Sequence, residues 1–269
     1  MAVITIFSGS FCKEEQVCRE VQSRTGYPFF SDREVVVEAS RLSGIPEARL
    51  DRAFSARTSV FNKFTHEKER SIAYLRLAMA ELLSKEDLLI SGFAGLLIPH
   101  EVSHVLRVCL IADKKFRTSL AMVEQGLPEK EASKVIHKQD EDRAVWVSTI
   151  LQKTDPWDAS LYDIVMPVDK TEPVEAATLI ARSVESDILK PTAASKRAVK
   201  DLLLASKVEI TLLDEGHHVA VTAKSGQVNL TINNHVLMLG RLEEELKGIA
   251  KKVDGVKGVE TKVGKGFYQ

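Results

Sequence analysis

The chain has 269 residues, enough for one large domain or two ordinary ones. Hydrophobic residues make up 44% and charged residues 28%, which excludes a disordered or membrane-embedded chain and suits a soluble globular protein. A net charge of −1 excludes a broadly basic surface for nucleic acid, and three cysteines without paired spacing exclude a disulfide framework. No apolar run reaches membrane-spanning length and no secretory leader pattern is present, so a cytoplasmic protein without a transmembrane segment is expected.

Residues 2–7 read as a buried strand and residues 17–25 as the helix behind it. The connecting segment Ser8-Gly9-Ser10-Phe11-Cys12-Lys13-Glu14 stands where a phosphate loop would stand. Such a loop needs glycines that let backbone N–H groups close on phosphate, then a Lys followed by Ser or Thr for the outer phosphates and Mg²⁺. Here the only glycine is Gly9, and Lys13 is followed by two glutamates that repel phosphate. The β-carbons of Phe11 and Cys12 are expected to obstruct close approach.

After the break at Gly26-Tyr27-Pro28 comes a short apolar stretch, Phe29-Phe30, then a helix from Asp32 to Leu42 stopped by Gly44. Residues 46–84 read as mostly helical. Residues 87–92 and 105–112 read as buried strands. Helices follow at 116–125 and from Pro128 to about Trp146, then a strand at 162–166 and a helix at 173–186. Strands alternating with helices predict an α/β fold with a parallel sheet covered on both faces. Lys190-Pro191-Thr192 marks a boundary. Beyond it the pattern predicts a helix at 194–205, strands at 208–213, 218–222 and 227–232, a helix at about 237–253 and a strand at 259–263, a small α+β unit.

Several separated pieces together resemble the cytidylate kinase-like family of nucleoside monophosphate kinases. They are the opening Met1-Ala2-Val3-Ile4-Thr5-Ile6, Gly26-Tyr27, Asp32-Arg33-Glu34, Gly92 with Ala94, and Leu106-Arg107-Val108. Arg117, Gly126-Leu127-Pro128, Glu131-Ala132, then Asp140, Arg143 and Ala144, Trp157-Asp158 and Leu161-Tyr162-Asp163 continue the series. The resemblance covers about residues 1–186. It implies a P-loop kinase-like domain over residues 1–189, with a mobile lid and ATP and Mg²⁺ as cofactors. Its reaction would move the γ-phosphoryl of ATP to a nucleoside monophosphate. The implied nucleotide-binding residues are Gly9, Ser10 and Lys13 of the loop, Asp32 and Arg33, Gly92, and the arginines Arg117 and Arg143. If the chain is active, Arg117 and Arg143 would also be the catalytic ones, since guanidinium forks grip phosphate with paired hydrogen bonds. The chain departs from the family in its degenerate loop and in Phe93, where the family usually has an arginine. Residues 192–269 resemble a BON-type domain, on Val219-Ala220-Val221, Gly226-Gln227-Val228-Asn229-Leu230 and Asp254-Gly255-Val256-Lys257-Gly258-Val259. Such domains imply binding of a protein or ligand partner and no catalysis.

Other signals have plainer readings. His100-Glu101-Val102-Ser103-His104 has the zinc-protease spacing, but Pro99 before it and the strand after it leave no helix, so a surface loop is expected and no metal site. His217-His218 reads as a turn before a strand. Cys12 at a helix start suggests an acidic thiol, which Glu14 and Glu15 oppose. Asp140, Asp142 and Arg143 also fit a solvated helix face, Asp32-Arg33 a helix cap, and Trp157 and Tyr162 core aromatics. Three functions remain. The departures favour a regulatory pseudokinase that binds a nucleotide or another phosphate-bearing small molecule with weak or no transfer. The alternatives are an active cytidylate-type kinase and an interaction scaffold without nucleotide.

Overall fold

The computed structural model describes residues 2–56, 66–85, 87–264 and 267. Strand β1 (Val3–Ser8) is buried along its whole length. It lies at the centre of a five-stranded parallel sheet of order β2-β3-β1-β4-β5, with β2 at Phe29–Ser31, β3 at Leu88–Ser91, β4 at Val105–Ile111 and β5 at Ile164–Pro167. Val3 pairs with Leu88 on one side and Val105 on the other. The α/β class and the parallel sheet expected from the sequence are therefore present.

Side chains alternate along β1, so the sheet has two apolar faces. Val3 and Phe7 join Leu88, Ile90, Val105 and Cys109 in one core. Helices α2 (Asp32–Ser43) and α4 (Glu67–Leu82) contribute Val35, Val36, Leu75 and Met79 to it. Ala2, Ile4 and Ile6 join Leu89, Leu106, Val108 and Leu110 in the other. That face is covered by α1 (Glu14–Thr25), through Val17 and Val21, and by α7 (Pro173–Val184), through Ala176, Ala177 and Ile180. Between α2 and α4 lies the short helix α3 (Glu47–Asp51). The mostly helical reading of 46–84 includes residues 57–65, which lie outside the described residues. Helices α5 (Lys114–Gln125) and α6 (Glu129–Leu151) form a hairpin through Gly126-Leu127-Pro128, and α6 extends past the expected stop at Trp146 to Leu151.

The main correction lies in the C-terminal third. Residues 208–213 are not a strand: α8 runs unbroken over Ala193–Asp214. Its apolar residues serve two cores. Val199, Leu202 and Ile210 pack in the core under α4, whereas Val208 and Leu212 pack on the small C-terminal sheet. Successive even positions thus point to opposite partners, and two helical stripes imitate the period-2 pattern of a strand. The small sheet has order β6-β7-β8, with β6 at Ala220–Lys224, β7 at Gln227–Ile232 and β8 at Gly258–Val263. Strands β6 and β7 are antiparallel, and β7 and β8 are parallel. Ser225 and Gly226 both take positive φ, 53° and 88°, the tight hairpin turn whose twist matches the flanking strands. Helix α9 (Leu239–Ala250) covers the sheet with Leu246 and Ile249. Among the described residues no helix is long and apolar enough to cross a membrane.

Because α8 closes the α4 face, a fragment ending at residue 189 exposes apolar surface that the whole chain buries. The expected result is a melting temperature at least about 5 °C below that of the full chain, measured by circular dichroism. Equal melting temperatures would show that α8 contributes nothing to the larger unit.

Candidate functional site

The loop after β1 leaves the carboxyl end of the central strand, where parallel α/β sheets place their ligands. Gly9 donates its N–H to the Leu110 carbonyl at 2.9 Å, tying the loop to the end of β4. Phe11 and Lys13 then adopt left-handed backbone, with φ of 57° and 53°. Each costs on the order of 1 kcal/mol for a side-chain-bearing residue. Alternation of handedness turns successive N–H groups toward one concave side, the geometry of an anion nest. Residues 10 and 11 form a turn, and among the described residues the N–H groups of Ser10, Phe11 and Lys13 give no backbone hydrogen bond. The side chains that replace glycines are accommodated. Phe11 packs against the hairpin cluster of Ala121, Ala132, Ile136 and Leu127. Cys12 is buried in the core under α1. At Gly9 a Cβ would be tight: it would lie 3.0 Å from Cys12 Sγ, 3.5 Å from Trp157 and 3.6 Å from the Arg117 guanidinium carbon.

Two arginines hold this loop. Arg117 of α5 donates from Nε to the Ser10 carbonyl at 2.7 Å and from Nη2 to Ser10 Oγ at 2.8 Å. The outer edge of the same guanidinium grips Asp140 of α6 in a fork, at 3.0 and 2.6 Å. Arg143, also on α6, donates to the Ser8 carbonyl at 2.6 Å and the Gln139 carbonyl at 2.9 Å. Its guanidinium lies over the Phe93 ring, 5.4 Å from the centroid. Burial holds its pKa below the ordinary arginine value, opposed by Glu14 and Asp140. Phe93 therefore takes part in the site as an aromatic platform under a cation. It is joined by Phe7, Phe54, Trp146, Trp157 and Tyr162 in a cluster of rings.

The other expected residues divide. Lys13 turns to Glu172, 3.3 Å away, and sits 5.4 Å from the Phe116 ring centroid. Asp32 accepts the N–H groups of Phe93 at 2.9 Å and Ala94 at 2.8 Å, which fixes the turn after β3. Gly92 makes this possible: its φ is 112°, and a Cβ would lie 2.2 Å from Asp32 Oδ2. Arg33 is exposed in the first turn of α2 and is not gathered with Arg117 and Arg143 on the loop. The cap of α2 is Ser31 with Glu34, not Asp32 or Arg33. Glu14 accepts the Ser91 hydroxyl. A groove of about 420 Å³ beside it is lined by Glu14, Glu15, Cys18, Phe29, Ser31 and Ser91.

Other candidate groups take different places. Asp142 is not on a solvated face; its Oδ1 accepts the Ala56 N–H at 2.6 Å. Burial pushes the Cys12 thiol up to about 11 against the pull of Arg117 and Arg143, so it is not an acidic nucleophile. Residues 100–104 form turns rather than the helix a zinc protease requires, and His104 is buried against Ser195 Oγ instead of lying on the surface. His218 stacks on His66 at 3.8 Å. Among the described residues no group of three or more His, Cys, Asp or Glu is arranged to hold a metal ion. Alternating backbone handedness in the loop is of a kind that accommodates an anion. The position after Lys13, a hydroxyl residue in a working phosphate loop, is Glu14, whose carboxylate accepts the Ser91 hydroxyl. The partner that sequence reasoning missed is Asp140 for Arg117. Its signal was available: a short Gly126-Leu127-Pro128 connection makes α5 and α6 antiparallel neighbours.

Residues 3–170 match the cytidylate kinase-like family. The chain belongs to that family. Similar solved structures include an uncharacterized protein from Eubacterium ventriosum, 18% identical, with a TM-score of 0.47 over 69% of this chain and 99% of that one. Shikimate kinase from Acinetobacter baumannii in complex with shikimate is 13% identical, with a TM-score of 0.41 over 71% of this chain and 96% of that one. Shikimate kinase from Aquifex aeolicus is 17% identical, with a TM-score of 0.37 over 70% and 99%. No curated protein matches the chain. The family match ends before α8, so the C-terminal unit lies outside it.

Burial pushes the Asp32 carboxyl up to about 7 from an ordinary 3.8, against the two N–H groups it accepts. A carboxyl raised in the folded state favours folding below its unfolded value, and that contribution is lost as pH rises through about 7. The stability deficit of Asp32→Asn in urea titrations should therefore shrink between about pH 5 and pH 8. A deficit that widens over that range would mean that the two N–H groups outweigh burial.

Proposed function

We propose that this member of the cytidylate kinase-like family is a regulatory pseudokinase. It binds a nucleotide or another phosphate-bearing small molecule at the loop after β1 and transfers no phosphoryl group at a useful rate. The observation that carries the reading is the pairing of a retained nest with a dismantled transfer apparatus. Phe11 and Lys13 keep the left-handed backbone without glycine, and Arg117 and Arg143 converge on the loop. The ammonium that should serve the outer phosphates is held by Glu172, and a glutamate replaces the hydroxyl residue that follows it.

Transfer depends on positioning the phosphoryl group and neutralising its spreading charge. A chain that supplies Glu14 and Glu15 at the mouth of the nest adds charge of the wrong sign there. Binding through backbone N–H groups and arginines survives this; rapid transfer does not. The helix–strand–strand–helix–strand order of residues 193–263 supports the BON-like reading of the C-terminal unit, which would give the protein a second binding surface.

Calorimetric titration with ATP, ADP, CMP and CDP, followed by an assay for ADP formation, tests the proposal. Saturable binding of at least one nucleotide is expected, with binding abolished in the Arg117→Ala/Arg143→Ala double variant and no ADP formed from ATP with CMP. Sustained ADP formation by the natural chain would establish an active kinase instead. Absence of binding to all four would leave the fold as a scaffold. In the Phe11→Gly/Glu14→Gly variant the strain at residue 11 and the charge at residue 14 are removed, so tighter ATP binding is expected.

A further inference from the structure

We infer that Asp140 is a built-in occupant of the phosphate-gripping fork of Arg117, and that it latches α6 onto α5 beside the loop until a phosphate-bearing ligand displaces it. The inference rests on reading the loop as a phosphate site. Arg117 presents two edges. The inner edge is committed to the loop through the Ser10 carbonyl and hydroxyl. The outer edge, Nη1 and Nη2, is the paired-donor edge that would meet two oxygens of a phosphate, and the two oxygens of Asp140 sit on it at 3.0 and 2.6 Å. The arginine side chain is 9% exposed and the aspartate 28%, so solvent reaches the pair mainly through the aspartate.

Further contacts make this a closed state of the hairpin. Phe11 inserts into the hairpin's own apolar cluster. Arg143, one turn beyond Asp140 on α6, reaches the Ser8 carbonyl. The hairpin is thus fastened to the loop at Ser8, Ser10 and Phe11 by protein groups alone. A ligand phosphate and the Asp140 carboxylate cannot share the outer edge, since both are anions. Seating the phosphate expels Asp140 and releases α6 from Arg117 of α5 at that point. Apparent affinity for the ligand is reduced by the fraction of molecules that are latched. Ligand binding is thereby coupled to movement of a 23-residue helix.

Asp140→Asn in the full chain tests this with two readouts. One is the affinity for pyrophosphate and for ATP by calorimetry. The other is the rate of tryptic cleavage at Lys130, Lys134 and Lys138 of α6, compared with Lys196 and Lys200 of α8, without ligand. The expected result is binding about tenfold tighter or better, with faster cleavage in α6 alone. Unchanged affinity together with unchanged α6 cleavage overturns the latch and leaves the phosphate-site reading intact. Faster α6 cleavage with no binding of either probe by either protein keeps the latch and overturns the phosphate site. Cleavage accelerated equally in α6 and α8 would mean general loosening, which also overturns the latch.

Discussion

The loop after β1 depends on two guanidinium groups that satisfy its carbonyls. Ser8 ends the central strand and Ser10 lies two residues beyond it, and Arg143 and Arg117 donate to their carbonyl oxygens from α6 and α5. The left-handed backbone at Phe11 and Lys13 is then held by side-chain contacts, Phe11 in the hairpin cluster and Lys13 on Glu172. The same two arginines join β1 to the α5–α6 hairpin, and Asp140 and the Phe93 ring complete their surroundings. A buried guanidinium is costly unless its donors are used, so loop, hairpin and aromatic cluster stand or fall together.

The scaffold explains why the loop can be so unusual and still be placed. Gly9 is fastened to Leu110, and β1 is buried between β3 and β4 along its length, so the point of departure is rigid. On the far side of the sheet, α8 buries one stripe under α4 and the other under the small sheet. Ion pairs Arg70–Asp214, which is exposed, and Arg76–Glu209, which is part-buried, line that seam beside the apolar contacts. Helix α8 therefore packs at once against the small sheet and in the core that holds Val3 and Phe7 of β1.

Much of the architecture was legible in the sequence. The strands at Leu88–Ser91, Val105–Ile111 and Gln227–Ile232 are short apolar or alternating runs bounded by turns, and they fall where the pattern places them. Residues 208–213 misled because a helix serving two cores carries apolar residues on two stripes, which no single periodicity distinguishes from a strand. Phe29–Ser31 is too short to announce itself and becomes a strand only by pairing with β3. At the site, Arg117 and Arg143 were locatable through family resemblance, whereas the roles of Asp140 and Phe93 required knowing which helices touch. The left-handed backbone of Phe11 was invisible because sequence assigns that conformation to glycine. Here tertiary contacts on its side chain stabilise it instead.

The central claim is that a glycine-poor loop remains an anion nest. The most direct measurement is nuclear magnetic resonance of the ¹⁵N-labelled chain, following the assigned backbone amides of Ser10, Phe11, Cys12 and Lys13 as ATP is added. The expected result is saturable shifts in these four amides, accompanied by the Arg117 side-chain Nε–H. Shifts confined to other parts of the molecule, or none at all, would contradict the account.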